Sequence, residues 1–309
     1  MKLHALNSFI AVAERGSLRA ASRDLNIAQP AMSRSVQELE KELGVELFER
    51  RAKGVVLTPM GTVFLRRAMA VRSELQRAKD ELLQLGGATQ GELRIAMSAV
   101  PHMMVLGEVL NSFWQRYPEA RLDMLDALLP SVEQDLRDGT VDLYIGPVTD
   151  GLPGDLIAER LFDATRVVIS RKGHPLSRAR SMRELADAQW ISTPITHRAE
   201  DELKPLFASY GLAPPRFVMR AHSTQTFLFT LMNTDLLMLL PFQWTQAPLV
   251  RDAVQRIPVE VSLDSPPVCI VRRAGLPLTP AAEYFCDMVR RVSYRLDNQV
   301  RRIKEVEPI

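Results

Sequence analysis

Apolar residues over the first 86 positions recur at steps of three and four, the spacing of buried helix faces. Leu3, Leu6, Phe9, Ile10 and Ala13 share one stripe, which predicts a first helix closed by Gly16. Leu18, Ala21 and Leu25 make a second, with Ser17 placed to cap it. Asn26 can take up the left-handed conformation that ends a helix, and Ile27 can plug the turn. Pro30 suits the first turn of a third helix, where its missing N–H needs no partner. On that helix Val36, Leu39 and Leu43 fall on one face, while Pro30, Ser33, Arg34 and Gln37 fall on the other. Two strand-like runs follow, Leu47 to Arg50 and Val55 to Thr58, joined by Arg51, Ala52, Lys53 and Gly54 as a hairpin. Thr58 and Pro59 then open a long helix. Its apolar positions Phe64, Ala68, Val71, Leu75, Ala78, Leu82 and Leu85 alternate steps of four and three over three heptads, a seam that predicts dimerisation.

A glycine-rich connector, Gly86 to Gly91, ends this helical region. Beyond it strand and helix patterns alternate. Strands are expected over Leu93 to Met97, Arg121 to Leu125 and Val141 to Gly146. Between them lie a helix from Val105 to Tyr117, with Leu106, Val109, Leu110, Phe113 and Trp114 inward, and one from Pro130 to Asp138. This β-α-β-α-β order implies a parallel sheet with right-handed crossovers. After a Gly- and Pro-rich loop through Gly154, strands are expected at Arg166 to Ser170, Gln189 to Ser192, Phe217 to Ala221, Leu236 to Leu240 and Val254 to Val261. Val268 to Arg272 and a helix from Thr279 to about Leu296 close the pattern.

Composition adds little, and charge more. A chain of 309 residues, 46% hydrophobic and 25% charged, has room for two or three ordinary globular cores. It contains no run of eighteen apolar residues, and its N-terminus opens into an amphipathic helix, so a cytoplasmic protein without a membrane span is expected. Cys269 and Cys286 are too few for a disulfide framework; Cys269, inside an apolar run, reads as a small core side chain. Residues 1 to 86 carry 14 Lys and Arg against 10 Asp and Glu, net +4, leaving 25 against 27, net −2, for the rest. That asymmetry fits a nucleic-acid-binding head on a near-neutral body.

The outer face of the third helix has the chemistry of a major-groove reader. Arg can pair bidentately with guanine, Gln with adenine, and Ser with base or phosphate. Ordinary surface helices also carry polar faces, but here a hairpin follows whose Arg50, Arg51 and Lys53 could neutralise phosphates without reading sequence.

From Gly16 to Gly61 the chain resembles the N-terminal domain of LysR-type transcriptional regulators. The residues that carry the likeness are Gly16-Ser17, Ala20-Ala21, Gln29-Pro30, Ser33, Leu39-Glu40, Leu43-Gly44, Leu47-Phe48, Arg50 and Leu57-Thr58-Pro59-Met60-Gly61. Ala28 departs from it: the family usually places Ser or Thr there as cap, and its loss should cost about 0.5–2 kcal/mol unless Asn26 substitutes. The resemblance implies a mixed fold. An all-α winged helix-turn-helix (1–58) and a linker dimerisation helix (59–86) precede an α/β effector domain (91–293) of two periplasmic-binding-protein-like lobes. Lobe I is expected at 91–163 and 267–293, lobe II at 164–266, and an exposed helical tail at 294–309. DNA contacts are expected from Gln29, Pro30, Ser33, Arg34, Gln37, Arg50, Arg51 and Lys53. The partners implied are double-stranded DNA with a dyad operator, RNA polymerase, a small-molecule effector, and further copies of the chain as homodimer and homotetramer.

In such a two-lobe fold the ligand lies at the strand ends. Ser98 follows the first strand directly, at a position where the family commonly contacts effector, and His102 lies four residues on. On the facing rim Ser192, Thr193, Thr196, His197 and Arg198 concentrate hydroxyls and a cation, and Phe242 can supply an apolar wall. Ser98 and Thr193 could equally be helix caps, and Asp142 and His222 read as structural. Hydroxyls, His and Arg together suit a small organic anion; aromatic acids are candidates because several members of the family sense aromatic-degradation intermediates. The sequence contains no GxSxG elbow, HExxH, Walker loop or GxGxxG after the first strand, so neither enzyme nor cofactor is expected. The alternative is a solute-binding or ligand-sensing protein without DNA regulation, which would leave the first 86 residues without a role.

Overall fold

In the computed structural model, residues 1–51, 54–149, 151–193, 199–259 and 263–306 are described. They divide into two compact units, Met1–Ala88 with Gln134–Val141, and Thr89–Glu133 with Asp142–Ile309.

The N-terminal head runs α1 (Leu3–Arg15), α2 (Leu18–Asp24), α3 (Gln29–Leu43), β1 (Phe48–Arg51), β2 (Gly54–Leu57) and α4 (Pro59–Leu85). Leu6, Phe9 and Ile10 of α1 meet Leu39, Leu47 and Ala68 in one core. The Phe9 ring lies 5.2 Å from Phe48 and 5.1 Å from Phe64, within the range of favourable aromatic pairing. Val12, Ala21, Met32 and Val36 form a second, smaller cluster under the helix-turn-helix. Four expected core positions are exposed instead: Leu3, Leu25, Ile27 and Leu43. Each stands at the end of an element or beyond it, where the stripe has no neighbouring element to meet. The long helix also divides its seam. Phe64 and Ala68 pack into the head, and only then do Val71 (44% exposed), Leu75 (50%), Leu82 (72%) and Leu85 (71%) leave an apolar row in solvent.

The second unit runs β3 (Gln90–Met97), α5 (Ala99–Met104), α6 (Leu106–Arg116), β4 (Glu119–Asp126), the first half of α7 (Leu129–Asp138, whose residues from Gln134 group with the first unit), β5 (Leu143–Pro147) and β6 (Leu156–Arg171). It continues with β7 (Gln189–Ser192), α8 (Ala199–Ser209), β8 (Arg216–Arg220), α9 (Thr224–Asn233), β9 (Met238–Pro241), β10 (Val254–Arg256), β11 (Leu263–Arg273) and α10 (Pro280–Val306). β3 pairs in parallel with both β4 and β5, as the strand and helix order predicts. β11 then pairs antiparallel with β5 on one side and β6 on the other, and β6 goes on to β9 and β10. One seven-stranded sheet therefore runs through both halves. β6 and β11 are much longer than the expected 166–170 and 268–272, because they are the crossing strands and remain paired along most of their length. Exposed Glu159, Arg160 and Asp163 hide the first part of β6 from an apolar reading.

Among the described residues three cores fill this unit. The first gathers Ile95, Phe113, Ile145, Phe285 and Val289, the second Val100, Phe162, Phe227, Phe242 and Trp244, and the third Val168, Trp190, Phe207 and Leu239. Trp114 does not join them: it is 46% exposed, and Tyr117, stacked on Phe113 at 5.5 Å, fills the inward place. α10 passes the expected end near Leu296 and continues as helix through Val306.

Candidate functional site

On α3 the inward positions Met32, Val36 and Leu39 leave a polar face opposite. Gln29, Pro30, Arg34 and Gln37 are exposed on it and Ser33 is half-buried. Among the described residues Arg34 and Gln37 make no hydrogen bond or ion pair, so their donors stand open to a partner. Ala28, at the N-cap, supplies no side-chain hydrogen bond, and Asn26, in the left-handed conformation at φ 51°, does not replace it. The first amides of α3 thus lack the acceptor that a Ser or Thr would bring. Ser17 does cap α2, accepting the Ala20 N–H at 3.4 Å.

The hairpin is tied to these helices mostly through backbone. Val55 N–H donates to Gly16 C=O at 2.9 Å, and Thr58 N–H to Leu47 C=O at 2.9 Å. The Thr58 hydroxyl caps α4 and also donates to Glu46 C=O at 2.8 Å. Gly61 lies against β1 so closely that a Cβ would stand 2.0 Å from the Leu47 oxygen. Glu40, one step past the last buried Leu of α3, accepts the N–H groups of Leu47 (2.7 Å) and Phe48 (3.1 Å). Sequence reasoning missed this clamp; a carboxylate following the apolar stripe and facing an incoming strand was its only signal. Arg51 is exposed at the end of β1 and paired with Glu49 at 2.7 Å. Lys53 and the side chain of Arg50 lie outside the described residues.

In the second unit Ser98 closes β3 with its N–H donating to Ile145 C=O at 2.9 Å. Its side chain does not cap α5; the Oγ is buried without a hydrogen-bond partner among the described residues. The cap alternative therefore fails for Ser98. Thr193, just past β7, is also buried, and the neighbouring Ser192 C=O accepts Ala221 N–H at 2.9 Å. Val100 from the first half, and Ile191 and Phe242 from the second, share one apolar cluster. The structure thus brings the ends of β3, β7 and β9 around a common apolar patch. His102 is half-buried nearby in sequence. Thr196, His197 and Arg198 lie outside the described residues. The Asp142 carboxylate accepts Arg94 N–H at 2.8 Å, midway along β3. His222 is exposed.

Tyr144 and Gly146, in the apolar run of β5, were read only as strand residues. Both cysteines are free and buried; burial pushes the Cys286 thiol up to about 12 and raises that of Cys269. Among the described residues no three His, Cys, Asp or Glu come together as metal ligands, and no helix is long and apolar enough to cross a membrane.

Comparison with known proteins agrees with both halves of this geometry. Residues 3–62 match the profile of the bacterial regulatory helix-turn-helix protein, lysR family, and residues 86–293 that of the LysR substrate binding domain. The HTH-type transcriptional regulator GbpR of Azospirillum brasilense is 26% identical, over 99% of this chain and 90% of its own. The regulator TdcA of Escherichia coli K12 is 25% identical, over 97% of this chain and 95% of its own. The crystal structure of full-length CbnR complexed with its target DNA shares the fold at TM-score 0.69 and 22% identity, covering 94% of this chain and all of that one. The chain belongs to the LysR family of DNA-binding transcriptional regulators.

Proposed function

We propose that the chain reads an operator of dyad symmetry as a dimer joined along α4, assembles further into a tetramer, and answers a small organic anion bound between the lobes. The lobes are 91–163 with 267–293, and 164–266. The observation that carries the DNA reading is the exposed pair Arg34 and Gln37 on α3, without partners among the described residues, with Arg51 at the hairpin. Gln29, Pro30 and Ser33 complete the contact face, and Arg50 and Lys53 join Arg51 on the phosphates. The complex of CbnR with its target DNA supports this use of the head. The apolar row Val71, Leu75, Leu82 and Leu85 supports the dimer, since lone apolar rows of this length gain by pairing. For the ligand the support is Ser98, a buried hydroxyl with no partner among the described residues, followed in the chain by Ala99 and Val100 of the cluster that includes Phe242. Thr193, Thr196 and His102 are assigned to the same cleft. Ligand binding changes the placement of the lobes, hence the spacing of the heads, the bend of the DNA and contact with RNA polymerase. A cytoplasmic location accompanies this role.

The test is a footprint on the DNA upstream of the gene, in moderate salt with nonspecific competitor. Two protected half-sites about one helical turn apart, or a multiple of it, are expected. Arg34→Ala should cost about 1–3 kcal/mol and relax preference at one base pair, whereas Arg51→Ala should weaken all sites alike and lower the salt slope by about one. Equal small losses from both would sink the division of roles. Absence of any protected dyad would leave the ligand-sensing alternative.

A further inference from the structure

Tyr144 is fully buried in β5, and its hydroxyl lies where the C-terminal ends of three parallel strands meet. It donates to Pro147 C=O at 3.1 Å, at the end of β5. It also accepts the N–H of Leu129, the first residue of α7, just beyond β4. The third strand end is Ser98, and Gly146 lies between the two hydroxyls. A Cβ on Gly146 would stand 2.3 Å from the Tyr144 oxygen and 2.7 Å from the Ser98 Oγ. Those distances are far inside van der Waals contact, so a side chain at 146 would displace the phenol, the Ser98 hydroxyl or both. Backbone bonds complete the frame: Ser98 N–H to Ile145 C=O at 2.9 Å, and Ala127 N–H to Met97 C=O at 3.3 Å.

The two hydroxyls differ in what they have left to offer. Tyr144 has its proton on Pro147 and an amide on its oxygen; burial holds the phenol protonated well above its ordinary range. Ser98 has no partner among the described residues, although it is 5% exposed. A buried hydroxyl whose described neighbours are bonded to one another keeps its donor for a ligand acceptor, and its desolvation cost is recovered only when a partner arrives.

We propose that Tyr144 is a positioning residue of the effector site and that Gly146 is what permits it: the phenol pins the ends of β4 and β5 so that the Ser98 hydroxyl meets the ligand. This rests on reading the cleft beside Ser98 as the effector site. It also narrows the ligand. Ser98, Ala127, Leu128, Leu129, Gly146 and Pro147 carry no charge, so this rim supplies one neutral donor to one acceptor oxygen. The ligand's charge is balanced elsewhere in the cleft.

Titration calorimetry of the full-length protein with benzoate as probe tests this. Tyr144→Phe keeps the ring and removes both hydrogen bonds; it should raise Kd about tenfold. Gly146→Ala should abolish detectable binding. Phe113→Leu, in a separate core, serves as the structural control: it should lower the melting temperature yet leave Kd unchanged. Hydrogen exchange should quicken at residues 98–104 and 127–133 in Tyr144→Phe, and not in Phe113→Leu. Native-like affinity in Tyr144→Phe would overturn the positioning role while leaving the cleft assignment standing. Affinity lost in Phe113→Leu in step with its melting temperature would overturn it as well. No binding of benzoate by the native protein would remove the aromatic-anion reading, and this inference with it. If Gly146→Ala does not fold, Tyr144→Phe decides alone.

Discussion

On α3 the side chains offered to a partner stand in water, and the scaffold beneath them is closed: Arg34 and Gln37 project from a helix whose other face is filled by Met32, Val36 and Leu39. At the rim beside Ser98 the order is reversed. There the offered group is buried, and what marks it is a bond it lacks among the described residues while Tyr144, Ile145 and Pro147 around it are bonded. The difference suits the two partners proposed. DNA is larger than the head and can be met on an outer surface, whereas a small ligand must be enclosed to bury enough of itself. Function is therefore written in exposed residue types in the first region and in unsatisfied geometry in the second.

The comparison breaks most sharply at Gly61. An added methyl there would stand 2.0 Å from the backbone oxygen of Leu47, and relief requires α4 or β1 to move. Gly61→Ala should cost about 3 kcal/mol or more of head stability, by overpacking against backbone that cannot repack. The two regions can be followed separately, because Trp114, Trp190 and Trp244 all lie in the second unit. Circular dichroism should show helix lost at lower temperature while the fluorescence transition stays in place. A single unshifted transition by both probes would refute the close packing of Gly61 on Leu47.

A second, smaller effect should touch the effector unit alone. Cys286 sits in the first core of that unit, where burial pushes its thiol up to about 12 against an unfolded value near 8.5. Between those values the folded protein keeps a proton that the unfolded chain releases. The stabilisation is therefore complete below the unfolded pKa and declines as pH rises toward the folded one, amounting to about 2 kcal/mol lost at pH 10. Cys286→Ala should flatten the fluorescence-detected stability between pH 8 and 10. An equal decline in the variant would place the effect elsewhere. The head holds no cysteine and should not follow this slope.

How far each region was legible follows from the same contrast. The stripe of α1, the turn at Asn26 and the polar face of α3 were readable because helix periodicity sorts buried from exposed residues with no knowledge of neighbours. Leu25, Ile27 and Leu43 were misread at element ends, where the period continues in sequence but the partner surface stops. The seam of α4 was legible as a pattern but not as a division: nothing in its spacing says that Phe64 and Ala68 belong to the head. In the effector unit the strands and the Ser98 position could be located. Tyr144 could not, because in sequence it is one more large residue in the run Leu143, Tyr144, Ile145, and the role proposed for it depends on the backbone of Leu129 and Pro147, which only the fold brings to its hydroxyl. The length of β6 was hidden for a related reason, its first half being paired to β11 while its side chains face water.

Ala28 gives the finest probe of the contrast, since there the exposed region itself carries a missing bond. It occupies the N-cap of α3 and leaves the first amides of the recognition helix without a side-chain acceptor. Its φ of −59° and ψ of 135° are extended backbone of the kind a capping Ser adopts, so Ala28→Ser requires no rearrangement. The added oxygen should stabilise the head by about 1 kcal/mol in the free protein, seen by circular dichroism and not by fluorescence. Its effect on DNA affinity then separates two uses of the open amides. If a phosphate of the operator takes them, the new hydroxyl competes for the same N–H groups, and affinity should rise less than head stability or fall. If they face only water, stability gained should leave affinity unchanged. A head that gains no stability would mean that the amides were already satisfied by solvent, and that the alanine at this position costs the protein nothing.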